Sequence, residues 1–135
     1  MKYSKYEFLK EACFESGEIN RENFETMYLE FPWIEMLKKQ NEVDEKDVKY
    51  SPGIRIENDE GKAVDVSIVG KIDDYEFYIC YKRPTLIKKR KWFKMVEYLK
   101  ENYNSIIPQQ TLENGLEASL CLFDKDFETL EKKYG

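Results

Sequence analysis

Histidine is missing from this 135-residue sequence. Its absence removes imidazole general bases, Ser-His and Cys-His nucleophile pairs and His-ligated zinc in one step. Any chemistry must therefore use carboxylates, Lys, Tyr, Cys or a metal held by oxygen. Cysteine is scarce. Cys13, Cys80 and Cys121 are an odd count with no close spacing, which excludes a disulfide framework and a thiolate zinc knuckle. No segment has the charged-then-apolar pattern of a signal peptide, and no apolar run approaches membrane-spanning length. The expected setting is the cytoplasm, with no membrane partner. Internal repeats and low-complexity tracts are also lacking.

What is present is enough for one domain with one core. Hydrophobic residues make up 41% and aromatic residues 15% of the chain, and large aromatics fill cores more often than they bind ligands. The net charge of −5 opposes non-specific attraction to nucleic acid or anionic lipid. That charge is uneven. Residues 82–104 hold eight bases (Lys82, Arg83, Lys88, Lys89, Arg90, Lys91, Lys94, Lys100) against Glu97 and Glu101, while the remainder holds 14 bases and 25 acids. A basic island thus sits in an acidic chain.

The order of elements predicts an α/β (α+β) fold. Ser4-Lys5-Tyr6-Glu7 has capping-box spacing and predicts a first helix, with Phe8, Leu9, Ala12 and Cys13 as its apolar stripe and Gly17 as its stop. A second helix opens at Asn20 and buries Phe24, Met27 and Tyr28. Pro32 breaks it and starts a third, carrying Trp33, Ile34 and Leu37. The polar segment Asn41–Ser51 reads as a loop. Three short strands follow as an antiparallel meander. Ile54 and Ile56 alternate with polar residues, as do Val64, Val66 and Ile68, and then Phe77, Ile79 and Tyr81. After Pro84 the stripe Trp92, Phe93, Val96, Leu99 and Tyr103 predicts a helix. Alternation of Leu116, Ala118, Leu120 and Leu122 favours a further strand over 116–123, and a terminal helix covers Asp126–Tyr134.

Side-chain parity registers the meander. The apolar positions of neighbouring strands must share a face, so their polar positions share the other. This sets Asp65 opposite Cys80 on one side and Arg55 on the other, with Lys82 on the same face, beneath a helix.

The stretch Ala63–Val69, followed by Tyr78-Ile79-Cys80-Tyr81-Lys82, resembles the core of the PD-(D/E)xK nucleases, the restriction-endonuclease-like superfamily. Their pattern is an Asp early in the second strand and an acidic-x-Lys triplet late in the third, in the order helix, three strands, helix, strand. The resemblance covers 32–123, with 1–31 as a helical N-terminal extension and 124–135 as the terminal helix. It implies a Mg²⁺- or Mn²⁺-dependent phosphodiesterase in which Asp65 binds metal and Lys82 orients or activates the attacking water. Glu35 would be the helix-borne acid and Glu97 an acid displaced onto the following helix. The pattern is broken at two places: Cys80 stands where the second acid belongs, and Val64 where a Pro usually precedes the Asp. A thiol is a poor ligand for a hard cation.

Other readings of the same residues stay open. Asp65 also reads as half of a cross-strand ion pair with Arg55, Lys82 as a solvated strand end and Cys80 as a small buried hydrophobe. Lys88, Lys89, Arg90, Lys91 and Trp92 combine phosphate-contacting charge with a stacking ring, or form the solvated lead-in to a helix. Two functions are therefore expected: a nuclease-like domain, active or decayed, that acts on or binds nucleic acid; or a non-catalytic acidic protein, of immunity or adaptor type, that caps a basic protein partner.

Overall fold

A computed structural model describes residues 1–7, 13–48, 51–91 and 94–135, and at residues 45, 85–91 and 94–103 it describes the backbone. Strands β1 (Lys2–Tyr6), β2 (Glu15–Glu18), β3 (Gly53–Glu57), β4 (Ala63–Lys71), β5 (Asp74–Lys91) and β6 (Lys94–Gln110) form one sheet in the order β2-β1-β3-β4-β5-β6, antiparallel throughout. Four helices accompany it: α1 (Arg21–Glu30), α2 (Trp33–Asn41), α3 (Leu112–Phe123) and α4 (Phe127–Tyr134).

The meander forms as its alternation predicts. Asn58 closes the β3–β4 turn by accepting from the backbone N–H of Glu60 (2.9 Å) and Lys62 (3.0 Å), with Gly61 at φ 79°. Ile54, Ile56, Val64, Val66, Ile68, Phe77, Ile79 and Tyr81 face the helices and are all buried. They join Phe24 and Tyr28 of α1, Trp33 and Leu37 of α2, Ala118 and Leu122 of α3, and Leu130 and Tyr134 of α4 in one core. Asn20 caps α1 by accepting from Asn23 N–H at 2.8 Å. Pro32 sits at the N-cap of α2, so the helix begins at Trp33, one residue after the expected start at Pro32.

Three expected elements are corrected. The first concerns the helix beginning at Ser4. Residues 2–6 form β1, and Glu15–Glu18, including the expected stop Gly17, form β2. Lys2–Tyr6 pairs with Gly53–Glu57 along its whole length, so long-range ladder bonds override the local capping signal. Phe8, Leu9 and Ala12 lie outside the described residues.

The second is the helix expected after Pro84. That region is instead the paired run Thr85↔Lys100 to Lys91↔Lys94, with Val96, Leu99 and Tyr103 in β6; Trp92 and Phe93 lie outside the described residues. A helical stripe in this stretch competes with pairing across a hairpin, and the ladder wins.

The third is the strand expected over 116–123, which belongs to α3. Thr111 and Asn114 form a reciprocal capping box. Gly115, Ala118, Ser119, Cys121 and Leu122 are its buried positions, a helical spacing that coincides with part of the alternating pattern.

Candidate functional site

The four helices pack on one face of the sheet, and among the described residues no helix covers the other. Its rows follow directly from the register. One runs Ser4, Arg55, Asp65, Cys80, Ile106; the next runs Lys2, Glu57, Ala63, Lys82, Asn104; a third runs Tyr6, Gly53, Ser67, Tyr78. Asp65 is thus flanked by Arg55 and Cys80, with Lys82 diagonal to it on the same face. The expected convergence of residues 65, 82 and 55 is present, but on the open side of the sheet rather than beneath a helix.

These charges border a hollow of about 530 Å³, walled by Tyr6, Tyr78 and Ile106. Gly53, on its floor, lies close against β4: a Cβ there would lie 2.5 Å from the Val66 carbonyl and 3.2 Å from Ser67 Oγ. Arg55 Nε stands 3.7 Å from Asp65 Oδ1, and Arg55 Nη2 stands 3.7 Å from Glu57 Oε2. Both separations are ion contacts too long for hydrogen bonds. Among the described residues nothing donates a hydrogen bond to Asp65. Burial raises the Asp65 pKa, against the lowering influence of Arg55 and Lys82. Burial likewise pushes the Cys80 thiol up, and the Asp65 carboxylate adds to that effect. Cys80 is therefore a poor thiolate nucleophile.

The proposed metal set does not assemble here. Glu35 is exposed on α2 and borders a different depression, with Trp33 and Phe77, on the helix side of the sheet. The sheet itself separates it from Asp65. Glu97 pairs with Lys88 in the hairpin, eight residues along β5 from Cys80, a contour of roughly 26 Å. Among the described residues no three His, Cys, Asp or Glu side chains are grouped to hold a metal ion. Asp65 and Glu57, both beside Arg55, are two carboxylates among cations and do not fit Mg²⁺ or Mn²⁺, which want several oxygen ligands.

No family model, curated protein or solved structure matches this chain. The site must therefore be read from its own chemistry.

A second feature adjoins the hollow. β4 pairs with β5 only as far as Ala63↔Lys82, whereas β5 and β6 continue together to Lys91↔Lys94. Beyond Lys82 the sheet is reduced to a two-stranded ribbon of nine residues per arm on β5 (83–91), roughly 30 Å long. It carries Lys88, Lys89, Arg90 and Lys91, all in β5; Trp92 lies outside the described residues. The ribbon's root is anchored. Buried Arg83 donates to Glu131 of α4 through Nε (2.7 Å) and Nη2 (3.0 Å), and through Nη1 to Ser105 Oγ (2.6 Å) and the Tyr81 carbonyl (3.1 Å).

Sequence reasoning missed Tyr6 and Ile106 as site residues. Tyr6 was assigned to a helix, and Ile106, now 63% exposed, had no neighbouring pattern to place it. Tyr78 was legible, because it shares parity with Cys80 and Lys82.

Proposed function

We propose that this chain is a non-catalytic nucleic-acid-binding domain, which grips the phosphate backbone with the β5–β6 ribbon and offers the open sheet face beside it. The observation that carries this reading is the ribbon. A two-stranded β-ribbon is a shape that nucleic-acid grooves admit, and an isolated ribbon is marginally stable by itself. Residues 82–104 have eight bases and two acids, so the ribbon is cationic although the chain is not. At physiological salt the screening length is about 8 Å. A ribbon of roughly 30 Å therefore presents its far end largely free of the acidic body's field.

The likeness to PD-(D/E)xK nucleases is supported by Asp65 and Lys82 on one face of adjacent strands, preceded by α2 and β3. Against hydrolysis stand Cys80 at the place of the second acid and the separation of Glu35 and Glu97 from Asp65. Binding without cleavage fits these residues better.

Fluorescence anisotropy with a labelled oligonucleotide tests the proposal. Wild type should bind at low salt, and Lys89→Glu with Arg90→Glu should weaken it. No binding, or binding that the double substitution leaves unchanged, would overturn it.

A second reading, an acidic protein that caps a basic protein partner, is favoured by a different observation. Leu29, Ile34 and Tyr75 are 56%, 37% and 43% exposed and border one depression beside Glu35. Clustered exposed apolar side chains commonly mark a protein interface. A basic protein that co-purifies with wild type but not with Leu29→Glu would favour that reading.

A further inference from the structure

Resting on the second of those readings, and naming what the partner presents, we infer that the depression between α1, α2 and β5 docks a basic protein segment that inserts one large apolar side chain between flanking Lys or Arg residues. Three observations converge. The first is the apolar depression itself. Leu29, Ile34 and Tyr75 border it as exposed side chains, with buried Trp33 and Phe77 behind them. Its volume of about 330 Å³ admits a large apolar side chain. The second is that its walls are already fixed. Trp33 donates through Nε1 to the Tyr28 carbonyl at 3.0 Å, and its ring meets Phe31 and Phe77 edge-on, with centroids 4.5 and 5.3 Å away. An entering side chain therefore has little to order on arrival.

The third observation is charge, and it selects the partner. Each of the four elements that reach the depression sets an exposed acid on or next to its lining residue: Glu30 after Leu29 on α1, Glu35 after Ile34 on α2, Asp74 before Tyr75 on β5, and Glu113 after Leu112 on α3. No base adjoins a lining residue in the sequence, and Lys38 and Lys39 are kept to the last turn of α2. Neighbouring Cα atoms are about 3.8 Å apart, well within the screening length of about 8 Å. Among the described residues no ion pair engages Glu30, Glu35 or Glu113. This ring of carboxylates repels anionic lipid and phosphate backbones and attracts cations placed around an apolar anchor. Tyr75 and Phe77 have the opposite parity to Tyr78 and Lys82, so the docked segment lies across the sheet from the Asp65 hollow.

The test uses the full chain and three labelled 12-residue peptides. One contains Lys, Arg and Ala around a single central Leu, the next has Ser in place of that Leu, and the last has Glu in place of every base. Anisotropy at low salt should show the Leu peptide bound about tenfold more tightly than the Ser peptide, the usual worth of burying one such side chain. The Glu peptide should not bind. Leu29→Ser with Ile34→Ser should abolish the preference for Leu and keep the weaker, charge-driven binding. Glu35→Gln with Glu113→Gln should weaken both basic peptides and flatten their salt dependence. All four positions are exposed, so these variants keep the core intact.

Equal binding of the Leu and Ser peptides by wild type would overturn the anchored site, while leaving an acidic protein that attracts basic partners by charge alone. A preference for Leu that survives Leu29→Ser with Ile34→Ser would do the same. No binding of either basic peptide would remove the second reading and the anchored site together. A wild-type dimer in sedimentation that Leu29→Ser with Ile34→Ser dissolves would also overturn the inference, because a second copy of the chain would then be the occupant.

Discussion

Gly115→Ala is the sharpest check on which face of the sheet is open. Gly115 is buried in the first turns of α3, where the helix crosses β4. An ideal Cβ there would overlap Tyr28 Oη and lie 2.7 Å from Val66 Cγ1 and 3.2 Å from Val66 Cγ2, well inside the ordinary carbon separation of about 3.5–4.0 Å. Neither neighbour can give way cheaply. Tyr28 is fully buried and donates to the Leu112 carbonyl at 2.8 Å, and Val66 sits in a central strand at 1% exposure. Overpacking of this kind costs about 1–3 kcal/mol, and the severity of the overlap argues for the upper end. Replacing a helical glycine by alanine returns up to about 1 kcal/mol. The expected balance is a loss of about 2 kcal/mol, which for a chain of this size lowers Tm by about 8 °C. Urea titration followed by circular dichroism measures it. Adding Tyr28→Phe to the alanine variant removes the overlapping oxygen, so the double variant should lose less than the two single losses combined. A Gly115→Ala protein as stable as wild type would refute the seating of α3 on Val66, and with it the placement of Asp65 on the uncovered side.

Other expected outcomes address the site and the ribbon. Asp65 has its pKa raised in the folded chain, so the native state holds that proton more tightly than the unfolded state does. Its ionised form therefore costs stability above the native pKa, and the cost fades as pH falls towards and below the ordinary value of 3.8. Asp65→Asn should accordingly raise Tm at pH 7, with the advantage shrinking in acid; a lower Tm at pH 7 would contradict this. Lys89→Glu with Arg90→Glu removes two candidate phosphate contacts, so the slope of log affinity against log salt should shallow by about 1.4 for a single strand. Incubation with plasmid and Mn²⁺ should show no cleavage by wild type, and measurable nicking would restore a catalytic role. Glu131→Gln takes a charged partner from buried Arg83 and should cost about 1–2 kcal/mol, discounted for the half-exposed carboxylate. Lys133→Met breaks the Lys133–Glu117 contact of 2.6 Å between more exposed groups and should cost markedly less; equal losses in the two urea titrations would count against the anchoring of the ribbon root.

Legibility in the sequence tracked the range of the forces involved. The meander was readable because its face is decided every second residue. A one-residue slip would bury Asp65 and expose Val66, so the pairing of Arg55, Asp65 and Cys80 followed from parity alone. The second helix and the terminal one were readable from local signals, namely Asn20 and Asp126 accepting from the first-turn N–H groups of Asn23 and Thr129. The failures are all places where a distant partner decides. Ser4 and Glu7 have the spacing of a cap, but β3 offers the chain a whole ladder. The alternation at Leu116–Leu122 is genuine, yet Thr111 and Asn114 had already opened a helix, and a pattern of leucines and alanines fits both periods.

The basic island shows what such a failure costs a functional reading. As a helix, residues 88–94 would have lain against the acidic body, their charge offset by neighbours within a screening length. As a ribbon, residues 88–91 and 94 lie beyond the end of β4, because β4 stops pairing at Lys82 while β5 does not. The same residues then form a positive arm on a negative body. The body, with 14 bases against 25 acids outside residues 82–104, repels a polyanion, and that repulsion orients the approach: only the arm-first encounter is favourable. A ligand that arrives along the arm reaches Lys82 first among the charges of the hollow, and then Asp65. On the reading proposed above, the charges along β5 would thus hold a nucleic-acid backbone on the arm and turn phosphate away from Asp65.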